Sequence, residues 1–99
     1  MKYKAKADDN QPEIVNHFRN LGFSVAHTYT VGKGMVDIVV AKNGVNVLVE
    51  IKDGSKPPSA RKLTPDEQKF HDEWKGLIRV VETFDDVVAL DKYISLLMT

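Results

Sequence analysis

The sequence predicts an α/β sandwich of the α+β type, a mixed β-sheet flanked by helices, with its elements in the order αβββαβα. Three observations carry this expectation. Segments with helical apolar spacing stand near both ends, short β-branched runs alternate between them, and Asn43-Gly44 joins two of those runs as a tight hairpin.

The first helix has clear boundaries. Asn10 can cap it, Pro12 suits its first turn, and Glu13 follows the cap by three residues. Ile14, Val15, Phe18 and Leu21 form the apolar stripe, and Gly22 supplies the left-handed stop. Three strands are expected next, over residues 23–28, 35–41 (MVDIVVA) and 46–52 (NVLVEIK). In the third, Val47, Val49 and Ile51 point one way, and Leu48, Glu50 and Lys52 the other.

Residues 53–63 read as a polar loop with two prolines. Thr64-Pro65-Asp66-Glu67 then opens a second helix with a capping-box pattern, and Gly76 closes it. LIRVV at 77–81 is expected as a buried fourth strand. Thr83 caps a last amphipathic helix through Val87, Leu90, Ile94 and Leu97.

Ninety-nine residues leave no room for a second core, so residues 1–99 are read as one domain whose modest burial would gain from dimerisation. Without cysteine, disulfides, zinc-thiolate sites and thiol nucleophiles are excluded, and a reducing cytoplasm is the simplest setting. The N-terminus MKYKAKADDN has charge but no apolar run behind it, unlike a signal peptide, and no stretch is long and apolar enough for a membrane span. The formal net charge is zero, so any nucleic-acid contact depends on local charge.

The chemistry-bearing residues are Asp37 on one strand and Glu50-Ile51-Lys52 on the next. Pairing through the hairpin lets Asp37 approach Glu50 on a shared face, and the period of two adds Lys52. Two neighbouring carboxylates repel unless a divalent cation neutralises them, and hard oxygen donors suit Mg2+ or Mn2+. A lysine beside such a site can orient or deprotonate a water and offset charge on a phosphoryl transition state. An Asp…Glu-x-Lys pattern also occurs on solvated sheet faces, but an acid embedded in MVDIVVA is costly to bury without a partner.

The stretches NQPEIVNHFRNLGF, GKGMVDIVV, VNVLVEIKDG and LTPDEQKFHDEWKG together resemble the virus-type replication–repair nuclease (VRR-NUC) domain, a branch of the PD-(D/E)XK nucleases. The resemblance runs from about residue 10 to residue 81, and it implies a restriction-endonuclease-like core. It also implies a metal-dependent endonuclease, bacterial or phage-encoded, that acts as a homodimer on branched DNA, with four-way junctions favoured. In that pattern Asp37, Glu50 and the Ile51 carbonyl bind metal, joined by Glu13 directly or through water. Lys52 is the catalytic lysine and Gln68 assists. Val36 stands where the family often has proline, a position that shapes the turn. A flap or nicking nuclease, and a nucleic-acid-binding module that does not cut, are the alternatives on this fold.

Glu13 has a second reading as the partner of Asn10 in a helix cap. Lys33, between two glycines, and Lys56, Arg61 and Lys62, in the loop after Lys52, are candidate DNA-phosphate contacts because they flank the acids. Each could equally be a solvated loop residue. Phe70 and Trp74, one helical turn apart, are expected in the core rather than as a base-stacking platform. Part of the apolar excess of the last helix, or of the sheet edge, is expected to form a symmetric dimer contact.

Overall fold

The computed structural model describes residues 8–99; residues 1–7, where the signal-peptide argument applied, lie outside the described residues. Helix α1 (Gln11–Asn20) leads into strands β1 (Ser24–His27), β2 (Ile38–Lys42) and β3 (Val45–Ile51). A short 3-10 turn (Pro58–Arg61) precedes α2 (Pro65–Glu73), and β4 (Ile78–Val81) and α3 (Phe84–Leu97) complete the predicted order.

The sheet follows chain order, β1-β2-β3-β4, antiparallel across the first three strands and parallel between β3 and β4. The hairpin between β2 and β3 turns at Asn43 and Gly44, with φ of 56° and 79°, the conformation that favours this pair of residues. The parallel β3–β4 pair requires a long crossover, and the loop, the 3-10 turn and α2 supply it.

The register gives the two sheet faces separate roles. Ile38, Val40, Val47, Val49, Ile51 and Val81 lie in the core with Ile14, Val15 and Phe18 of α1 and Val87, Leu90 and Ile94 of α3. Both long helices therefore cover one face. Each fully buried aliphatic side chain contributes roughly 1.5–3 kcal/mol relative to exposure. Lys42 closes the end of α1: its ammonium donates to the Leu21 carbonyl at 2.6 Å and to Asp91 at 2.7 Å.

Several local expectations are corrected. Asn10 makes no side-chain cap; its amide donates instead to the Lys52 carbonyl at 3.1 Å, fastening the start of α1 to the end of β3. Among the described residues strand β4 is the sheet edge with no fifth strand beside it, and only Val81 of it is buried. Phe70 and Trp74 are not core residues. They stack on each other at 5.4 Å with Trp74 43% exposed, since neither long helix packs on that side of the sheet. On α3, Val87, Leu90 and Ile94 are buried as expected, but Leu96, Leu97 and Met98 face outward.

Candidate active site

Asp37 immediately precedes β2, and its backbone N–H donates to the carbonyl of Val49, the register partner of Ile38, so two residues of this strand face one of β3 and the ladder ends irregularly there. Asp37 nevertheless lines one groove with Glu50 and Lys52. Val49 and Ile51 enter the core with α1 and α3, so alternation along β3 sends Glu50 and Lys52 to the opposite face. The Asp37 carboxylate accepts from the Ile51 N–H at 2.7 Å and lies within hydrogen-bonding reach of Glu50. Val49 and Ile51 present their backbone groups to the same strand edge, so the Ile51 carbonyl also faces the Asp37 side.

Asp37, Glu50 and Lys52 share a groove of about 650 Å³ with Asp8, Lys33 and Glu67. Glu50 is only 3% exposed. Burial, then the charges of Asp37 and Glu67, push its carboxyl up to about 9, opposed by Lys52. Burial also raises Asp37, against the hydrogen bonds from Ile51 and Glu50. Asp8 is raised by burial, with Lys52 and Lys56 opposing.

Glu67 organises the far wall. Its Oε1 accepts from Lys52 Nζ at 2.9 Å and from the Thr64 N–H at 2.9 Å, so one oxygen closes the capping box of α2 and anchors the lysine. Burial would raise this acid, but those bonds prevail and hold it below the usual carboxylate range. Lys52 is held above its ordinary value: burial works against the charge, but Glu67 and then Glu50, 3.6 Å away, overcome it. The Gly32–Gly34 turn closes on the same helix. Gly34 has φ +81°, and a Cβ there would stand 2.4 Å from the Asp66 carbonyl oxygen.

Other predicted residues fall elsewhere. Glu13 is exposed, 3.9 Å from His17, and lines a different cleft from the groove of Asp37 and Glu50, and no side-chain cap is formed at the start of α1. The arrival of Asp8 in the groove explains the difference: the acid comes from the chain entering α1, not from the helix. Gln68 is also exposed and donates to Asp72 at 2.8 Å. Lys33 lines the groove, and Lys56 and Lys62 are exposed beyond it. Arg61 is engaged with Glu82 at 3.1 Å and with the Lys56 carbonyl, contacts that brace the loop. Asp8 and Glu67 escaped the sequence reading. A capping-box glutamate opposite a strand lysine was a usable signal for Glu67; Asp8 offered none.

Among the described residues, no three His, Cys, Asp or Glu side chains are gathered as a metal cluster. The donor set still fits a hard cation. Glu50 Oε1 is buried without a hydrogen-bond partner among the described residues, in the groove it shares with the Asp37 carboxylate. Two carboxylates and a carbonyl, completed by water, are the kind of ligation magnesium accepts.

No family model and no curated protein matches the sequence. Among solved structures, a chain described as a "VRR_NUC domain" is similar over 87% of this chain and 98% of its own, with 23% identity and a TM-score of 0.64. What is shared at that identity is the fold, a mixed four-stranded sheet between helices of the restriction-endonuclease-like kind.

Proposed function

We propose, taking the VRR_NUC fold as the premise, that this chain is a metal-dependent nuclease of that family hydrolysing phosphodiesters in DNA. The observation that carries the reading is the meeting of the Asp37 and Glu50 carboxylates in one groove, with Lys52 3.6 Å from Glu50. A buried acid held near 9 is poorly suited to an ordinary surface and well suited to a site that a cation completes.

Asp37, Glu50 and the Ile51 carbonyl would hold Mg2+ or Mn2+, with Asp8 in the place expected of Glu13. Such an ion supplies an activated water and neutralises phosphoryl charge. Lys52 orients the attacking water and stabilises developing negative charge through its ammonium. Glu67 keeps that ammonium directed into the groove. Lys33, on the groove wall, faces the phosphate that would enter. Attack by water would leave a 5′-phosphate and a 3′-hydroxyl.

The preferred substrate in this reading is branched DNA, cut by a homodimer. Leu96, Leu97 and Met98 offer exposed apolar surface for the two-fold contact, and a two-fold dimer sets two sites on two strands. No helix among the described residues is long and apolar enough to cross a membrane. Four-way junction, flap and linear duplex DNA, incubated with Mg2+, Mn2+ or EDTA beside Asp37→Asn and Lys52→Ala, test the proposal. Metal-dependent junction cutting lost in both variants supports it. Preferred flap cutting moves the assignment to a flap nuclease. Binding without cleavage under every metal condition defeats the nuclease reading.

A further inference from the structure

A second cleft, of about 490 Å³, lies between α1 and the end of β1 and is lined by Gln11, Val15, Asn16, Arg19, His27 and Tyr29, with Pro12 at its edge. Tyr29 also lines the groove that holds Asp37 and Glu50, so one aromatic residue separates the two spaces. Their electrostatics differ. The groove is rich in carboxylates, whereas no acid lines the cleft. Arg19 has no ion pair or side-chain hydrogen bond among the described residues, which leaves its five donors facing solvent at the rim.

Gln11 is the unusual element. It is 3% exposed, and its Nε2 meets His27 Nδ1 at 3.4 Å while its Oε1 is buried with no partner. Whichever way the amide is turned, one of its polar ends is left over. A buried amide end without a partner among the described residues is costly, and because Oε1 is shielded from solvent, a ligand offering the complementary hydrogen bond removes that cost only by drawing the Gln11 side chain outward. The aromatic components are His27 and Tyr29, at right angles with centroids 6.2 Å apart.

From these observations we infer that this cleft is a subsite for one unpaired nucleotide of the strand leaving the groove. The inference deepens the nuclease reading and rests on it for the direction of the strand. The base lies against Tyr29 and His27 and meets the Gln11 amide once that side chain turns outward, and Arg19 takes a phosphate. Such a site requires a base that is out of the duplex, because a paired base offers neither a free face nor a free Watson–Crick edge. An opened nucleotide next to the cut is what a branch point provides and a continuous duplex does not. Selectivity for DNA structure would then arise within one chain, before any dimer geometry acts.

The test is binding measured in EDTA, so that it does not depend on cleavage. Fluorescence anisotropy with a fully paired duplex, a fork with single-stranded arms and a single-stranded oligonucleotide is compared for the full chain, Arg19→Ala and Tyr29→Leu. Arg19→Ala should weaken fork and single-strand binding about five- to tenfold and reduce the salt slope by about one. Tyr29→Leu should weaken the same two by about tenfold, with duplex binding within about twofold of the parent. Equal losses on all three DNAs, or no loss on any, overturn the inference. So does a changed oligomeric state by light scattering with DNA binding intact, which would make the cleft a protein contact. Arg19 is exposed, so that variant remains informative should Tyr29→Leu fail to fold. If the parent never cleaves but the fork-specific losses appear, the nuclease reading fails and the subsite stands. If it cleaves and they do not appear, the subsite alone is lost.

Discussion

Glu50→Gln keeps the size and shape of a buried side chain while removing its ability to ionise. In the folded chain the carboxyl is pushed up to about 9 by burial and by Asp37 and Glu67; unfolded, it returns to about 4.5. The sign follows from which state keeps the proton. Between pH 4.5 and 9 the unfolded chain releases it and the folded chain retains it, so stability falls as pH rises through this window and levels off above it. At pH 7 the cost accumulates over about two and a half pH units at about 1.36 kcal/mol each, or about 3 kcal/mol. Glutamine avoids that cost, and its amide can donate to both Asp37 and Glu67. The variant should therefore be more stable than the parent in EDTA at pH 7, with Tm higher by roughly 10 °C or more for a domain of this size. The two proteins should converge near pH 4.5. Added Mg2+ should raise the Tm of the parent, by an amount that follows occupancy, and leave the variant nearly unmoved. Thermal unfolding across pH 4.5–9, with and without Mg2+, is the assay. A lower Tm for the variant at pH 7, or parallel stability curves across the window, would refute the account of Glu50 as an acid kept protonated until a cation arrives.

Three further outcomes follow from the same geometry. Lys52→Ala should lower single-turnover cleavage by about 10²–10⁴-fold while the Mg2+-dependent rise in Tm persists, because the lysine acts on water and phosphate rather than on the ion. Glu67→Ala removes both the anchor of Lys52 and half of the capping box. It should cost about 1 kcal/mol, speed hydrogen exchange over residues 65–73 and lower the cleavage rate, whereas Glu67→Gln restores the cap without the ion pair. Gly34→Ala combines a φ of +81° with a contact of 2.4 Å to the Asp66 carbonyl oxygen, so it should cost about 2 kcal/mol or more in a urea titration.

The comparison of sequence with structure divides along physical lines. Asp37, Glu50 and Lys52 were readable because the strand period is local and the Asn43-Gly44 turn sets the hairpin register, which brings the end of β3 beside the residue that precedes β2. Helical residues were less readable. Successive side chains on a helix point about 100° apart, so the rotation of α2 against the sheet decides whether Glu67 or Gln68 enters the groove. No local pattern states that rotation. It is set by the close seat of Gly34 on Asp66 and by the Glu67–Lys52 bond.

The same reasoning covers Asp8, Glu13 and the aromatic pair. Asp8 enters the groove because the chain reaches α1 along the open end of β3, where Asn10 is tied to the Lys52 carbonyl. Phe70 and Trp74 lie outside the core because α1 and α3 both pack on the opposite face. By itself, then, the sequence determined the elements, the hairpin and the strand-borne trio, all consequences of backbone preference and side-chain alternation. The tertiary structure alone decided which helix and loop residues complete the site, since that depends on how whole elements are docked against the sheet.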